Sequence, residues 1–369
     1  MQHRKLINRR CDEDVKNSLR FRQSETLNSA ENISKYGGAF LALKDGDTMR
    51  ILITGASGFI GSALTKHLLE QGDYEVRAAS RDPSQISLSA EHLELAQMDG
   101  LEPDGDWRTM LKDVDCVIHC AARVHVMHEK ATDPLAEFRR VNVAGTLALA
   151  RQAQTLGVKR FVFLSSVKVN GEESQRGAPF RADDPPSPSD AYGVSKLEAE
   201  QALSTLASIG EMEISVIRPV LVYGPGVKAN FRSMIRWLDK GVPLPLGGVT
   251  HNRRSLVAID NLIDILTLCI HHPAAAGQVF LASDGDDMST TEMLRRIGKA
   301  LGKRAPLLSV PPELLRLAAR FLGRPAVAQR LCSSLQVDIS KNQALLDWIP
   351  PVSSDVALSR TVEAYRRGV

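Results

Sequence analysis

The sequence predicts an α/β fold, a doubly wound parallel sheet with helices on both faces, followed by a smaller and mostly helical lobe. Two observations lead to this prediction. From Met49 to about residue 222, short apolar runs alternate with segments of helical periodicity, as they do in βαβ units. Beyond Tyr223, proline and glycine interrupt shorter elements. The predicted division is an extension at 1–48, a sheet domain at 49–222 that can borrow strands from the last part, and a lobe at 223–369.

Each element of this fold follows from a local pattern. The predicted strands are 51–54, 74–79, 93–97, 116–119, 160–164 and 214–217, with shorter strand-like pieces at 255–258 and 279–282. The predicted helices are 59–71, 134–156, 190–208, 260–271, 289–301 and 311–322. The last helix is amphipathic, and we expect it to pack on the core rather than to touch a membrane. Residues 1–48 are polar without a sustained period, which indicates a disordered tail or an upstream start more than a docking arm.

Composition excludes several classes of protein. With 369 residues, 43% hydrophobic, 24% charged and a formal charge of +3, the chain has the profile of a soluble globular protein. Lys and Arg form no dense block with aromatic residues, which argues against nucleic acid, and no apolar run approaches the roughly 18 to 20 residues of a spanning helix. The five scattered cysteines do not form a disulfide framework, so a cytoplasmic location is expected. We expect Cys116 and Cys120 to be buried thiols and predict no metal site.

The stretch 50–72 joins a strand to a helix through a turn with three glycines, Gly55, Gly58 and Gly61. Such a turn allows unusual backbone angles, close approach of a diphosphate to the main chain, and tight packing of helix on strand. The N-terminus of the helix, at Phe59 and Ile60, offers free N–H groups and a partial positive charge to an anion. The stretch therefore predicts a dinucleotide site.

Two further signals lie where a shared site would have to be, at the ends of later strands. Ser165 and Ser166 follow the apolar strand FVFL, and Tyr192 precedes Lys196 by four residues in a predicted helix. Residues four apart share a helix face, so the ammonium can lie near the phenol and stabilise its anion. A serine hydroxyl opposite can orient a substrate oxygen for proton transfer. Together these residues predict acid/base chemistry next to the bound dinucleotide.

Five motifs follow one another along the chain: GASGFIG, HCAA at 119–122, VNVAGT at 141–146, AYGVSK at 191–196 and RPVLVYGPG at 218–226. Their combination and order resemble the extended short-chain dehydrogenases/reductases, in the nucleotide-sugar epimerase/dehydratase branch. The resemblance implies a Rossmann fold, a nicotinamide cofactor, a UDP-sugar substrate, a homodimer formed through helices 134–156 and 190–208, and a catalytic Ser166, Tyr192 and Lys196. It also implies that Asn142 supports the site and that Arg253 grips the nucleotide diphosphate. The expected cofactor contacts are Gly55, Gly58, Phe59, Ile60, Gly61, Ser80, Arg81, Asp99, Ala121, Ala122, Tyr192, Lys196 and Pro219.

Departures from the family pattern narrow the expected reaction. Val167 and Lys168 stand where sugar dehydratases usually have Asp and Glu, which argues against dehydration. Asn170 stands where UDP-glucose 4-epimerases usually have tyrosine. Ser80 and Arg81 end the second strand, where an acidic residue would bind the ribose of NAD, and they favour NADP(H). Asp82 keeps NAD(H) open.

The segment SSVKVNGE and the C-terminal stretch from Leu335 look like bacterial UDP-N-acetyl-α-D-quinovosamine dehydrogenases. These enzymes reduce the C4 ketone of a UDP-4-keto-6-deoxy-N-acetylhexosamine for O-antigen and capsule assembly. We therefore expect an NAD(P)H-dependent sugar-nucleotide 4-ketoreductase. The alternative within the enzyme class is a UDP-glucose or UDP-N-acetylglucosamine 4-epimerase, and a different class is a non-catalytic NADP-sensing regulator.

Several residues are weaker candidates, each with an ordinary structural interpretation beside the functional one. Lys168, Asn230 and Arg232 are candidate substrate contacts, although capping or surface roles are equally compatible with the last two. Asp99 is a candidate for the adenine ring or a plain loop carboxylate. His125 and His128 are better interpreted as solvated loop histidines than as sugar contacts.

Overall fold

A parallel sheet of seven strands forms the centre of the fold, in the order β3-β2-β1-β4-β5-β6-β9. The computed structural model describes residues 48–124 and 133–368, so all but the last residue of the predicted extension, and both His125 and His128, lie outside the described residues. The strands are β1 Met49–Thr54, β2 Tyr74–Ser80, β3 Leu93–Gln97, β4 Cys116–His119, β5 Arg160–Leu164, β6 Glu213–Pro219 and β9 Val279–Ala282. A separate two-stranded parallel sheet contains β7 Leu221–Tyr223 and β8 Leu256–Ala258.

Helices cover both faces of the main sheet. The α-helices of the described residues are α1 Phe59–Gln71, α2 Arg108–Leu111, α3 Pro134–Phe138, α4 Thr146–Thr155, α5 Ala191–Ser208, α6 Ala229–Asp239, α7 Ile259–His271, α8 Thr290–Ala300, α9 Pro312–Phe321, α10 Pro325–Cys332, α11 Ser340–Leu346 and α12 Ser354–Arg366. Helices α2, α4 and α5 share one apolar core with the sheet, while α1 packs against α7. Because helices lie on both faces, β4 and β5 are buried along their whole lengths. The predicted doubly wound α/β fold is confirmed.

The predicted helix at 134–156 is interrupted by a π-helical segment, Arg139–Gly145. At its end, Gly145 lets the segment approach the loop after β3, because a Cβ there would lie 2.3 Å from the carbonyl oxygen of Leu101. The segment buries Asn142, whose side chain contacts Ser195 on α5. A π segment of this kind inside a helix is often found at functional sites.

The C-terminal part of the chain contributes to two cores. Strand β9 pairs with β6 and completes the main sheet, while Tyr223, α6, α8 and α12 surround a second apolar cluster. The division of the chain at 222/223 therefore stays a prediction, with one strand of the sheet taken from beyond it.

The prediction that the helix at 311–322 packs on the core is wrong for most of its surface. Helix α9 has no buried residue, and within it Leu315 is the residue that packs, partly buried, against the second cluster. The physical reason is that α6, α8 and α12 already pack against one another and fill that core. Helix α9 contacts chiefly α10, which is itself largely exposed. Along the described ranges, no helix is both long and apolar enough to cross a membrane.

Candidate cofactor and catalytic site

The glycine turn after β1 has the geometry of a dinucleotide cradle. Gly55 has φ +72°, and a Cβ there would lie 2.8 Å from the backbone nitrogen of Ala121. A Cβ at Gly61 would lie 2.2 Å from the carbonyl oxygen of Gly55, so side chains are excluded where helix and turn touch. Gly58 caps α1 without a side chain, and the helix N-terminus is thus left to the backbone N–H groups of Phe59 and Ile60. These features fit a diphosphate.

The ends of β1 and β4 are joined by a buried histidine bridge. His119 Nδ1 lies 2.7 Å from Thr54 Oγ1, and His119 Nε2 lies 3.0 Å from Thr146 Oγ1. Burial, helped by the charge of Lys196, lowers the pKa of His119 to about 3, so the ring is neutral. Thr54 Oγ1 also accepts a hydrogen bond from the N–H of Ala121, which fixes the HCAA turn, including Ala122, beside Gly55.

The end of β2 presents Ser80 to the same turn. Ser80 Oγ donates a hydrogen bond of 2.7 Å to Ser57 Oγ, whereas Arg81 is exposed. The carboxylate of Asp82 is also exposed and accepts hydrogen bonds from Ser84 and Gln85 in the turn that follows. In this arrangement Asp82 caps a local turn, and its local hydrogen bonds lower its pKa.

Ser166 begins the turn after β5. Its hydroxyl accepts a hydrogen bond of 3.3 Å from the N–H of Lys168, and the turn Val167–Val169 follows. A Cβ at Gly193, the residue after Tyr192, would lie 2.9 Å from the carbonyl oxygen of Lys168. The turn that carries Ser166 therefore touches the first turn of the helix that carries Tyr192, as the order of the motifs predicts.

Tyr192 lies at the start of α5, where its ring packs edge-on against Phe138 at 6.0 Å between centroids. Burial raises the pKa of the phenol to about 12, and the charge of Asp190 adds to the rise. The expectation that Lys196 lowers this pKa is therefore not met. The reason is that the Lys196 ammonium donates to the carbonyl oxygen of Leu164 at 2.8 Å and lies over the ring of Phe163.

Lys196 itself is almost fully buried, with 2% of its surface exposed. Burial lowers the pKa of its ammonium to about 8, while the charges of Glu200 and Cys120 oppose this change. Because Lys196 follows Tyr192 by one helical turn, it lies beneath the site at the carboxyl end of β5.

Asn142, in the π segment, connects three parts of the site. Its side-chain nitrogen donates to Ser195 Oγ and to the carbonyl oxygen of Arg123, each at 3.0 Å, and its oxygen accepts from the N–H of Arg123 at 2.8 Å. Ser195 Oγ in turn donates to the carbonyl oxygen of Tyr192. Asn142 thus connects the loop after β4 to α5.

Lys168 forms an ion pair with Asp190, a residue that the sequence analysis did not single out. The other oxygen of Asp190 accepts a hydrogen bond of 2.7 Å from the N–H of Gly193 and so caps α5. The sequence carried a signal for this role, because an aspartate directly before the first residue of a helix is a common N-cap. Lys168 is partly exposed, at 31% of its side-chain surface, on the Ser166 side of the helix start.

A second group that the sequence analysis missed is a buried ion pair behind the strand ends. The guanidinium of Arg218, on β6, binds both carboxylate oxygens of Glu200, on α5, and both side chains are under a tenth exposed. Ser165 donates to the same carboxylate, and Asn170 accepts from Arg218 at 3.1 Å. The sequence carried a signal for this group, because Glu200 lies four residues after Lys196 and so shares its face of the helix.

A short segment near the C-terminus links the loop after Asn170 to Arg253. The N–H of Arg253 donates to Ser334 Oγ and its carbonyl accepts from Leu335, while its side chain is exposed. The carbonyl of Ser334 accepts from the N–H of Ser174 in that loop. The backbone of Arg253 is therefore fixed next to the loop that follows the turn of Ser166.

The predicted site residues fall into two groups. The structure joins the glycine turn, the ends of β2, β4 and β5, and the start of α5 through the contacts above. The other predicted residues lie elsewhere: Asp99 is in an exposed loop after β3, Asn230 and Arg232 are exposed in the first turn of α6, and Pro219 is buried at the end of β6. Within the described ranges, no three His, Cys, Asp or Glu side chains lie together as they would around a metal ion.

Comparison with known proteins places this arrangement in a family. Residues 51–282 match the model of the NAD dependent epimerase/dehydratase family. The chain is 46% identical over 315 residues to a UDP-glucose 4-epimerase of Vibrio cholerae, covering 85% of this chain and 95% of that protein. It is 28% identical over 334 residues to a UDP-glucose 4-epimerase of Mycolicibacterium smegmatis, covering 86% and 99%.

Solved structures show the same fold. The UDP-glucuronic acid 4-epimerase of Bacillus cereus in complex with NAD superposes with a TM-score of 0.70 at 24% identity, over 86% of this chain and 99% of that one. MoeE5 in complex with UDP-glucuronic acid and NAD superposes with a TM-score of 0.68 at 25% identity, over 87% and 100%. With its parallel sheet, glycine turn and matched length, this chain belongs to the NAD-dependent epimerase/dehydratase family, within the extended short-chain dehydrogenases/reductases.

Proposed function

We propose that this chain is a UDP-hexose 4-epimerase that uses NAD. The observation that carries the proposal is the 46% identity to the Vibrio cholerae UDP-glucose 4-epimerase along 85% of the chain. The contact between the turn of Ser166 and the helix start of Tyr192 supports it, because epimerisation at C4 needs one proton-transfer group and one oxygen-positioning group at the same carbon.

The residues of the site have distinct roles in this proposal. When bound, NAD would supply reversible hydride transfer at C4, and the glycine turn with the N–H groups of Phe59 and Ile60 would hold its diphosphate. Tyr192 takes the proton of the C4 hydroxyl and later gives it back. Ser166 positions that oxygen, and Lys196 holds the nicotinamide ribose. Because burial raises the pKa of Tyr192, its phenolate forms at neutral pH only when positive charge approaches the ring.

We propose NAD rather than NADP as the cofactor. MoeE5, at 25% identity, was solved with NAD, and no comparison supports the NADP preference expected from Ser80 and Arg81. Arg81 is exposed, and Ser80 is bound to Ser57 of the glycine turn. We therefore do not propose that Arg81 binds the 2′-phosphate of NADP.

A second candidate is the 4-ketoreductase of a UDP-4-keto-6-deoxy-N-acetylhexosamine, in the manner of the quinovosamine dehydrogenases and O-antigen assembly. The observation that favours it is Asn170, which stands in the tyrosine position of the epimerases and is buried in hydrogen bonds to Arg218 and to the carbonyl of Arg181. The two candidates share Ser166, Tyr192 and Lys196 and differ in whether the cofactor is consumed.

One experiment separates the candidates. Purified protein is incubated with UDP-glucose or UDP-N-acetylglucosamine without added cofactor, and separately with NADH and UDP-4-keto-6-deoxy-N-acetylglucosamine, and products are identified by NMR. An epimerase converts UDP-glucose to UDP-galactose, or UDP-N-acetylglucosamine to UDP-N-acetylgalactosamine, with no net oxidation or reduction of the cofactor. Stoichiometric NADH consumption with the keto sugar alone contradicts the epimerase proposal and supports the reductase.

The variant Tyr192→Phe tests both against the non-catalytic regulator. We expect a loss of turnover on the order of 10²- to 10⁴-fold with NAD binding retained. A Tyr192→Phe protein that keeps the cellular phenotype of the wild type favours the regulator.

The remaining assignments are part of the same proposal. Lys168 and Asn230 contact the sugar nucleotide, and Arg253 binds its diphosphate through an exposed guanidinium on a fixed backbone. The active form is a cytoplasmic homodimer that pairs the helices in 134–156 and 190–208. Residues 223–369 form the substrate lobe, with β9 lent to the sheet domain.

A further inference from the structure

Helix α9 presents an exposed apolar face to solvent. Leu314 is 55% exposed, Leu317 51% and Phe321 84%, and Leu322, directly after the helix, is 75% exposed. The spacing of three and then four residues places the first three on one helix face, here named the α9 ridge. A contiguous apolar surface of this kind marks an interaction site more often than scattered single residues do.

The other faces of α9 are already in use. Leu315 packs against the apolar cluster of the C-terminal part. The charges of Arg316 and Glu313 reach the Cys332 thiol at the end of α10, so that side of the helix faces α10. The α9 ridge is the remaining face, and none of its residues is buried.

The surroundings of the α9 ridge are basic. From Pro312 to Cys332 the chain carries four arginines and one glutamate, a net charge of +3 on a segment of two short helices. Arg320 and Arg324 are exposed on either side of Phe321 in the sequence. Exposed leucine and phenylalanine next to arginine is the pattern of helices that lie in the interface of an anionic bilayer. A second copy of this surface would bring the arginines of both copies together, which opposes self-association through it.

We propose that the α9 ridge docks on the surface of an anionic lipid bilayer, with Leu317 and Phe321 inserted among the acyl chains and Arg320 and Arg324 on the lipid phosphates. The inference does not depend on which sugar-nucleotide reaction the site performs. It places the enzyme at a membrane surface through an interfacial helix.

The test is sedimentation of the full chain with vesicles of phosphatidylcholine mixed with phosphatidylglycerol, compared with vesicles of phosphatidylcholine alone. We expect binding to the mixed vesicles that weakens as salt rises. The variants Leu317→Ser/Phe321→Ser and Arg320→Gln/Arg324→Gln should each weaken that binding by about tenfold or more. The matched control is Ile349→Ser, since Ile349 is 63% exposed and lies outside the ridge. It should bind like the wild type, and all variants should turn over soluble sugar nucleotide at the wild-type rate.

Four results overturn the proposal. The first is that the wild type does not sediment with the mixed vesicles. The second is that the Leu317→Ser/Phe321→Ser variant sediments with them as the wild type does, which assigns the binding to another part of the chain. In sedimentation velocity without vesicles, the same variant halves the mass of the particle, which identifies a second copy as the occupant. Loss of turnover on soluble substrate in that variant shows instead that the active site needs the ridge.

Discussion

Lys168 and Asp190 form an ion pair that links the turn of Ser166 to the start of the Tyr192 helix. Asp190 also accepts a hydrogen bond of 2.7 Å from the N–H of Gly193, so one carboxylate caps the helix and binds the lysine. The negative charge of Asp190 raises the pKa of Tyr192, and the lysine opposes that charge. The pair therefore affects both the position and the ionisation of the tyrosine.

The first prediction concerns the pH dependence of turnover. Because Tyr192 acts as a base when it is deprotonated, the rate rises with pH through its pKa. Asp190→Asn keeps a capping side chain but removes the charge, so the rising limb should move to lower pH by roughly one unit or less. Lys168→Met leaves the carboxylate unopposed and should move the limb to higher pH. Profiles of kcat against pH for the three proteins check this, and shifts in the same direction for both variants would contradict it.

The second prediction concerns the packing of the glycine turn. Gly61→Ala would place a methyl group 2.2 Å from the carbonyl oxygen of Gly55. We expect a loss of about 1 to 3 kcal/mol in the free energy of unfolding and a weaker affinity for NAD, because the turn must move. Urea unfolding and cofactor titration measure the two effects. Ser62→Ala, one residue further along α1, is the control, and equal NAD affinity in Gly61→Ala and the wild type would count against the cradle.

The third prediction concerns the buried pair of Glu200 and Arg218. Glu200→Gln leaves the guanidinium without its counter-charge, at a cost of about 3 to 5 kcal/mol in the free energy of unfolding. The matched control is Glu198→Gln on the same helix, which loses the more exposed ion pair with Arg139 and should lower the free energy of unfolding much less than Glu200→Gln does. Urea unfolding of both variants checks the difference. Equal losses would show that burial of the pair does not matter.

The fourth prediction concerns stability at acid pH. Burial lowers the pKa of His119 to about 3, below its value of about 6.5 in the unfolded chain. The unfolded state therefore binds the proton first, and the stabilisation is complete above pH of about 6.5 and is lost as pH falls towards 3. His119→Gln should flatten this dependence by up to about 1.4 kcal/mol per pH unit. Urea midpoints from neutral to mildly acidic pH measure it.

The control for this experiment is His251→Gln, because His251 is exposed. Its midpoints should follow those of the wild type. An unchanged slope in the His119→Gln protein would contradict the assignment of a buried neutral ring.

The sheet and its glycine turn were predictable because their signals are local. Apolar runs such as FVFL become buried strands wherever both faces of a sheet are covered, and three glycines between a strand and a helix restrict the possible geometry. The proximity of the glycine turn, Ser166 and Tyr192 was predictable too, since parallel strands end on one edge of the sheet and these residues follow such strand ends.

Other features depend on pairs that lie far apart in the sequence. Arg218 and Glu200 are recognisable as polar residues among apolar ones, but their partnership appears only when β6 and α5 are packed together. The π segment at Arg139–Gly145 differs from an α-helix by the choice of hydrogen-bond acceptor, for which residue propensities give little signal. The amphipathic pattern of α9 was visible, but whether its apolar face meets the core depends on helices that had already filled that core.

The pairing of β9 with β6 has a consequence for synthesis of the protein. Val216 on β6 and Val220, directly after it, donate their N–H groups to the carbonyl oxygens of Gln278 and Ala282, so this edge is unsatisfied until residue 282 has left the ribosome. A polypeptide that stops at 222 presents β6 as an open edge, which is a template for intermolecular strand addition and aggregation. After residue 222 the nascent chain thus needs sixty further residues, up to Ala282, before β9 can pair with β6, and fragments for expression should extend beyond Ala282.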